Sequence, residues 1–129
     1  LDTSSLITKT ILIVDYLEIT HAIFNEILKP FVLNLLFAKN GIQAVDLCRQ
    51  YQPHLILMDL RMPDISGFEA VERIRDFNKE VPIIAQSAFV VVNERDKILK
   101  SGFNDILTKP IDSQLLLKII DNFFIHKIV

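Results

Sequence analysis

The chain has a single cysteine, Cys48, and its three histidines, His21, His54 and His126, are scattered without the spacing of a metal-ligand set. One cysteine forms no internal disulfide, which fits a reducing, cytoplasmic setting. Cys48 falls on an apolar helical stripe and reads as an inert core thiol, and the histidines read as structural or surface groups. No apolar run approaches the roughly 18 residues that a membrane-spanning helix needs. Charge of one sign is also missing: 14 Lys+Arg against 16 Asp+Glu leave a net charge of −2. A nearly neutral chain has no basic footprint, so direct contact with nucleic acid is not expected of it, nor with a membrane. Low-complexity segments and internal repeats are absent as well.

What is present is a well-stocked core. Half of the 129 residues are hydrophobic, enough for one domain and too few for two ordinary ones. The chain starts at Leu1, and its opening LDTSSLITKT is polar, so residues 1–9 are expected to be a linker or flexible lead-in to a domain cut from something longer. Residues 10–125 are expected to form the domain and 126–129 a tail.

Short apolar runs alternate with amphipathic stretches. Strands are predicted at Thr10–Val14, Phe31–Ala38, His54–Met58, Pro82–Gln86 and Phe103–Thr108. Helices are predicted between and after them. The first covers 17–28, with Ile19, Ile23 and Ile27 at four-residue spacing, and Lys29-Pro30 stops it. The second follows the Asn40-Gly41 turn and carries Ala44, Leu47, Cys48 and Tyr51 on one face. The third covers 67–76 with Phe68, Val71 and Ile74 inward, and the fourth about 91–101, capped by Gly102. The fifth is capped by Asp112 or Ser113 and turns Leu116, Ile119, Ile120 and Phe123 inward, leaving Leu117 and Phe124 off the stripe and exposed. Five strands alternating with five helices imply an α/β, doubly wound parallel sheet. Ligands of such sheets bind beyond the carboxyl ends of the strands. The polar residues directly after the predicted strands are Asp15, Asp59, Ser87 and Lys109. Two carboxylates, a hydroxyl and an ammonium suit phosphoryl chemistry: a carboxylate as nucleophile, the hydroxyl and lysine as holders of phosphoryl oxygens, and a second carboxylate to help seat Mg²⁺.

The stretches ILIVD, LILMDLRMPDISGFEAVERIR, PIIAQSA and DILTKPI resemble the receiver domain of two-component response regulators, from about residue 10 to residue 124. The resemblance implies a flavodoxin-like (βα)5 fold with strand order 2-1-3-4-5, a doubly wound order for which a receiver protein is itself a standard example. It also implies roles: Asp59 as phosphoacceptor, Ser87 as switch hydroxyl, Lys109 as the lysine paired with the phosphoryl group, and a cis bond to Pro110. Asp15, Asp59 and the backbone carbonyl of Arg61 are the implied Mg²⁺ ligands. Two positions break the pattern: Tyr16 stands where a second acid is usual, and Ile106 where the switch aromatic is usual. Weak Mg²⁺ binding follows from the first, since a phenol with a pKa near 10 is a poor ligand at neutral pH.

The expected function is therefore acceptance of a phosphoryl group on Asp59 in a phosphorelay, from a histidine kinase or a histidine phosphotransfer domain. The added charge would bias a surface made by the fourth helix, fifth strand and fifth helix, which is also the expected self-association face. The LTKPI ending and the linker-like start resemble receivers of hybrid histidine kinases, so the parent chain is expected to be such a kinase, the cytoplasmic part of a sensor. The domain itself is a phosphoacceptor rather than a stand-alone enzyme. The competing expectation is a pseudo-receiver, an interaction module never phosphorylated, because the acidic pair is broken at Tyr16.

Overall fold

The computed structural model describes residues 8–32, 34–88 and 92–125; the readings made above for residues 1–7, Leu33, residue 91, His126 and the tail fall outside them. Strands β1 (Thr10–Val14), β2 (Asn34–Ala38), β3 (Leu55–Asp59), β4 (Ile83–Ser87) and β5 (Asp105–Thr108) alternate with helices α1 (Glu18–Leu28), α2 (Gly41–Tyr51), α3 (Gly67–Arg75), α4 (Val92–Lys100) and α5 (Ser113–Ile125). All neighbouring strands pair in parallel, in the order β2-β1-β3-β4-β5. Parallel neighbours need a crossover, and the helices supply it, covering both faces of the sheet.

That cover explains the near-continuous apolar strands. Successive side chains of a strand point to opposite faces. Leu12, Val14, Ile56, Met58, Ile83 and Ala85 thus pack with Ala44 and Cys48 of α2, Val71 and Ile74 of α3, and Ile98 of α4. Ile11, Ile13, Leu55, Leu57, Ile84 and Leu107 face the other way, onto Phe24 and Leu28 of α1 and Leu116 and Ile120 of α5. Burial pushes the Cys48 thiol up to about 12, so it stays protonated, as its place on the stripe suggested.

Local signals set the helix ends. Asn40 Oδ1 accepts from the Gln43 amide at 2.8 Å and Ser66 Oγ from the Glu69 amide at 3.1 Å, capping α2 and α3. Asp112, the first of the two proposed caps, accepts from Gln114 and Leu115 at the start of α5. Gly102 ends α4 with φ of 116°, a backbone that favours glycine.

Three expectations are corrected. The stripe of α1 that faces the sheet is Thr20, Phe24 and Leu28, while Ile19 and Ile23 are exposed. Both sets repeat every four residues, so periodicity leaves the phase open; the core takes the largest ring, Phe24. Tyr51, placed inward on α2, is exposed, because the stripe passes through Val45 instead. Phe124, placed outward, is buried, and Leu117 packs partly against the same core. The phase of α1 can be checked directly. Phe24→Ala is expected to cost about 3–5 kcal/mol in chemical denaturation. Ile19→Ala is expected to stay within about 0.5 kcal/mol of wild type.

Candidate phosphoryl-binding cleft

The carboxyl ends of β1, β3, β4 and β5 bring Asp15, Asp59, Ser87 and Lys109 to one edge of the sheet. Asp15 directly follows β1 and is fully buried. Its Oδ1 accepts from the Leu17 amide at 2.8 Å, and its Oδ2 lies 3.0 Å from Lys109 Nζ. His21 Nε2 donates to the Asp15 carbonyl at 2.8 Å, an anchor from α1 that the sequence did not single out.

Asp59 is the last residue of β3. Its Oδ1 accepts from the Arg61 amide at 3.3 Å, and its Oδ2 lies 3.4 Å from Lys109 Nζ. One ammonium therefore spans both carboxylates. Burial pushes the Asp59 carboxyl above its ordinary range, with Lys109 and the Arg61 amide pulling the other way. Burial pulls Lys109 down, but the hydrogen bond to Asp15 and the charge of Asp59 outweigh it and hold the ammonium above its usual value. Lys109 is thus charged at neutral pH. Its backbone amide donates to the Ser87 carbonyl at 2.8 Å, locking β5 to the end of β4, and its bond to Pro110 is cis.

The loop after Asp59 is held at both ends. A Cβ on Gly67 would stand 2.4 Å from the Asp59 carbonyl oxygen, so only glycine lets α3 start this close to the acidic strand. The Gly67 amide also donates to the Leu60 carbonyl at 2.9 Å. Asp64 accepts from the Gly41 and Ile42 amides at 2.9 and 2.8 Å, reaching across to the N-terminus of α2. These bonds outweigh the cost of burial and keep the Asp64 carboxyl below its usual value. Gly67 reads from sequence as the mere start of a helix; the signal available was its place eight residues after Asp59. Gly67→Ala is expected to cost about 1–3 kcal/mol, the usual range for overpacking, and to shift the amide resonances of the Asp59 loop.

Asp59, Leu60, Arg61, Gln86, Ser87, Ala88 and Lys109 line a cleft of about 220 Å³. Tyr16 lies outside it, 57% exposed. Ile106 is buried in the core on the α2–α4 side, with no ring to rotate at that position. Among the described residues no group of three or more His, Cys, Asp or Glu side chains is arranged to hold a metal. Asp15 and Asp59 with the Arg61 carbonyl still fit Mg²⁺, which takes one or two carboxylates and keeps several waters.

The response regulator receiver domain family matches residues 11–121. The chain belongs to that family. This receiver domain is 28% identical to the polar-differentiation response regulator DivK of Brucella anthropi over 117 residues, 89% of the chain and 95% of DivK. It is 34% identical to a chain in the co-crystal structure of the Saccharomyces cerevisiae histidine phosphotransfer signaling protein Ypd1 with the receiver domain of its downstream response regulator Ssk1. The TM-score is 0.88, over 96% of this chain and 94% of that one. The receiver domain of the sensor histidine kinase PA1611 from Pseudomonas aeruginosa, solved with magnesium coordinated in its active-site cleft, is 29% identical with a TM-score of 0.82, over 90% and 97% of the two chains. The flavodoxin-like fold and the two-component family are those the motifs implied. No helix of the described residues is long and apolar enough to cross a membrane.

Proposed function

We propose that this receiver domain accepts a phosphoryl group on Asp59 from a phosphohistidine, carried by a histidine kinase or a histidine phosphotransfer domain. The observation that carries the reading is Lys109, whose ammonium lies 3.0 Å from Asp15 and 3.4 Å from Asp59 at the edge of the cleft. In the transfer an Asp59 carboxylate oxygen attacks phosphorus. The O–P bond forms as the N–P bond breaks; the imidazole nitrogen keeps that electron pair and takes a proton from water. Lys109 and the Ser87 hydroxyl hold phosphoryl oxygens as charge moves. Mg²⁺, when bound by Asp15, Asp59 and the Arg61 carbonyl, supplies charge neutralisation on the transferring group.

A donor protein must present its imidazole at this edge. Tyr16, Leu17, Ile19 and Ile23 are exposed on the β1–α1 loop and the outer face of α1, beside Asp15, and form an apolar landing surface there. The output surface is proposed on the α4–β5–α5 side, where Leu99 and Leu115 are exposed and where copies of the domain would also associate. The parent chain is proposed to be a hybrid histidine kinase. The competing reading, a phosphorylation-independent interaction module, rests on Tyr16. Intact-mass analysis after incubation with a phosphohistidine donor and Mg²⁺ separates the two: a phosphoprotein supports transfer, and none supports the module.

The raised Asp59 carboxyl has a measurable consequence. Its ¹³C carboxyl resonance is expected to titrate above the ordinary aspartate value of about 3.9. Lys109→Ala removes an influence that lowers it, so the midpoint rises further in that variant. Phosphorylation of Lys109→Ala is expected to continue at a reduced rate but to lose its effect on the α4–β5–α5 resonances.

A further inference from the structure

Gln86 is fully buried, yet neither its Nε2 nor its Oε1 has a hydrogen-bond partner among the described residues. A buried carboxamide without partners costs folding free energy, and an apolar residue of the same shape would avoid that cost. Its position suggests what the group is kept for. In the register of β3 and β4, Gln86 is the direct partner of Asp59. Parallel neighbours stand roughly 4.8 Å apart and direct paired side chains to the same face. That face is the one carrying Leu57, Ile84 and Leu107. Ser87, the next residue, points to the opposite side of β4 by alternation. Both residues line the 220 Å³ cleft together with Asp59 and Lys109. Next to the cleft, β4 thus carries a hydroxyl on one side and, on the side of Asp59, a buried amide without a partner among the described residues. Asp59 itself is thinly held, by contacts of 3.3 and 3.4 Å.

We propose that Gln86 is a positioning residue for the phosphorylated state: its Nε2 donates to an oxygen of the acyl phosphate formed on Asp59, and so prolongs the life of that group. The inference rests on the phosphoacceptor reading above. Among the described residues no acceptor reaches the amide. The phosphoryl group brings acceptor oxygens into the cleft, and the stored donor is satisfied only then. Gln86 breaks no bond and moves no proton; it biases the equilibrium toward the occupied cleft.

The test compares wild type with Gln86→Leu, and with Gln86→Met should the branched variant fold poorly. Beryllofluoride with Mg²⁺ serves as the phosphoryl mimic, followed by NMR. The variant is expected to bind it about tenfold more weakly, the size of one charge-assisted hydrogen bond. Its phosphoryl group is expected to decay faster by a similar factor. In wild type the Gln86 side-chain NH₂ pair, identified by its loss in the variant, should shift when beryllofluoride binds. A thermal midpoint at or above wild type in the variant, together with weakened binding, supports the proposal. Equal affinity, equal lifetime and an unmoved NH₂ pair overturn it and leave Gln86 as a packing misfit. A wild type that takes neither beryllofluoride nor a phosphoryl group overturns the phosphoacceptor reading and this inference with it. A wild type that takes both, matched by its variant, overturns this inference alone.

Discussion

Asp59→Asn leaves a folded domain that takes up no phosphoryl group from acetyl phosphate or a phosphohistidine donor. The substitution is nearly isosteric and keeps an acceptor for the Arg61 amide, but an amide oxygen is no nucleophile at phosphorus. The same change is expected to stabilise the protein. Burial raises the Asp59 carboxyl, so between the unfolded and folded pKa values the folded state binds a proton that the unfolded chain has lost. Stability therefore falls as pH rises through that window, and the loss is complete above the folded value. Asn carries no such loss. The thermal midpoint of the variant should exceed wild type at neutral pH, and the gap should close on acidification below the ordinary aspartate value. Phosphoprotein in the Asn variant would move the acceptor elsewhere, with Asp15 the first alternative.

Tyr16→Asp is expected to tighten Mg²⁺ by one to two decades. In the native domain both Asp15 oxygens are engaged, one by the Leu17 amide and one by Lys109, so a metal ion competes with an ammonium for its ligand. Tyr16 offers no compensating charge. A second carboxylate at that position restores a contact worth on the order of 1–3 kcal/mol, and each 1.4 kcal/mol is about tenfold in affinity. Phosphorylation of Asp59 should quicken and require less Mg²⁺. The metal-free variant should be less stable, because a third carboxylate joins a cleft edge with one cation. Calorimetric Mg²⁺ titration of both proteins decides: equal affinity would mean that Tyr16 marks no missing ligand.

Much of the fold and of the cleft is legible in the sequence, for identifiable reasons. Short apolar runs that close on a polar residue mark buried parallel strands: Asp15 follows Ile11–Val14 and Asp59 follows Leu55–Met58, while Ser87 and Lys109 come one residue after the shorter runs Ile83–Ala85 and Ile106–Leu107. Their convergence then comes from topology alone. Strand ends drifted by a residue or more, as in β2, which begins at Asn34 rather than Phe31, because flanking apolar residues pack onto the core without joining the ladder. Helix phase was harder. Ile19 and Phe24 belong to competing stripes of equal period, and only the facing sheet chooses between them. Gln86 was invisible as a site residue because its meaning lies in what it fails to touch. Gly67 likewise matters through one oxygen of Asp59, a contact at which its place eight residues after Asp59 only hints.

The tethers on the Asp59 loop also have a mechanical consequence. Gly67 abuts the Asp59 carbonyl, and Asp64 is pinned to the start of α2 by two backbone amides. That flank behaves as an anvil. Under the proposed phosphoacceptor role, a bulky, charged group on Asp59 would meet no yielding partner there, and its push would fall on the other side of the cleft, at the ends of β4 and β5. In that role, asymmetric stiffness rather than any single relay side chain would give a response its direction. With isoleucine at position 106, such a response would then need no rotating ring.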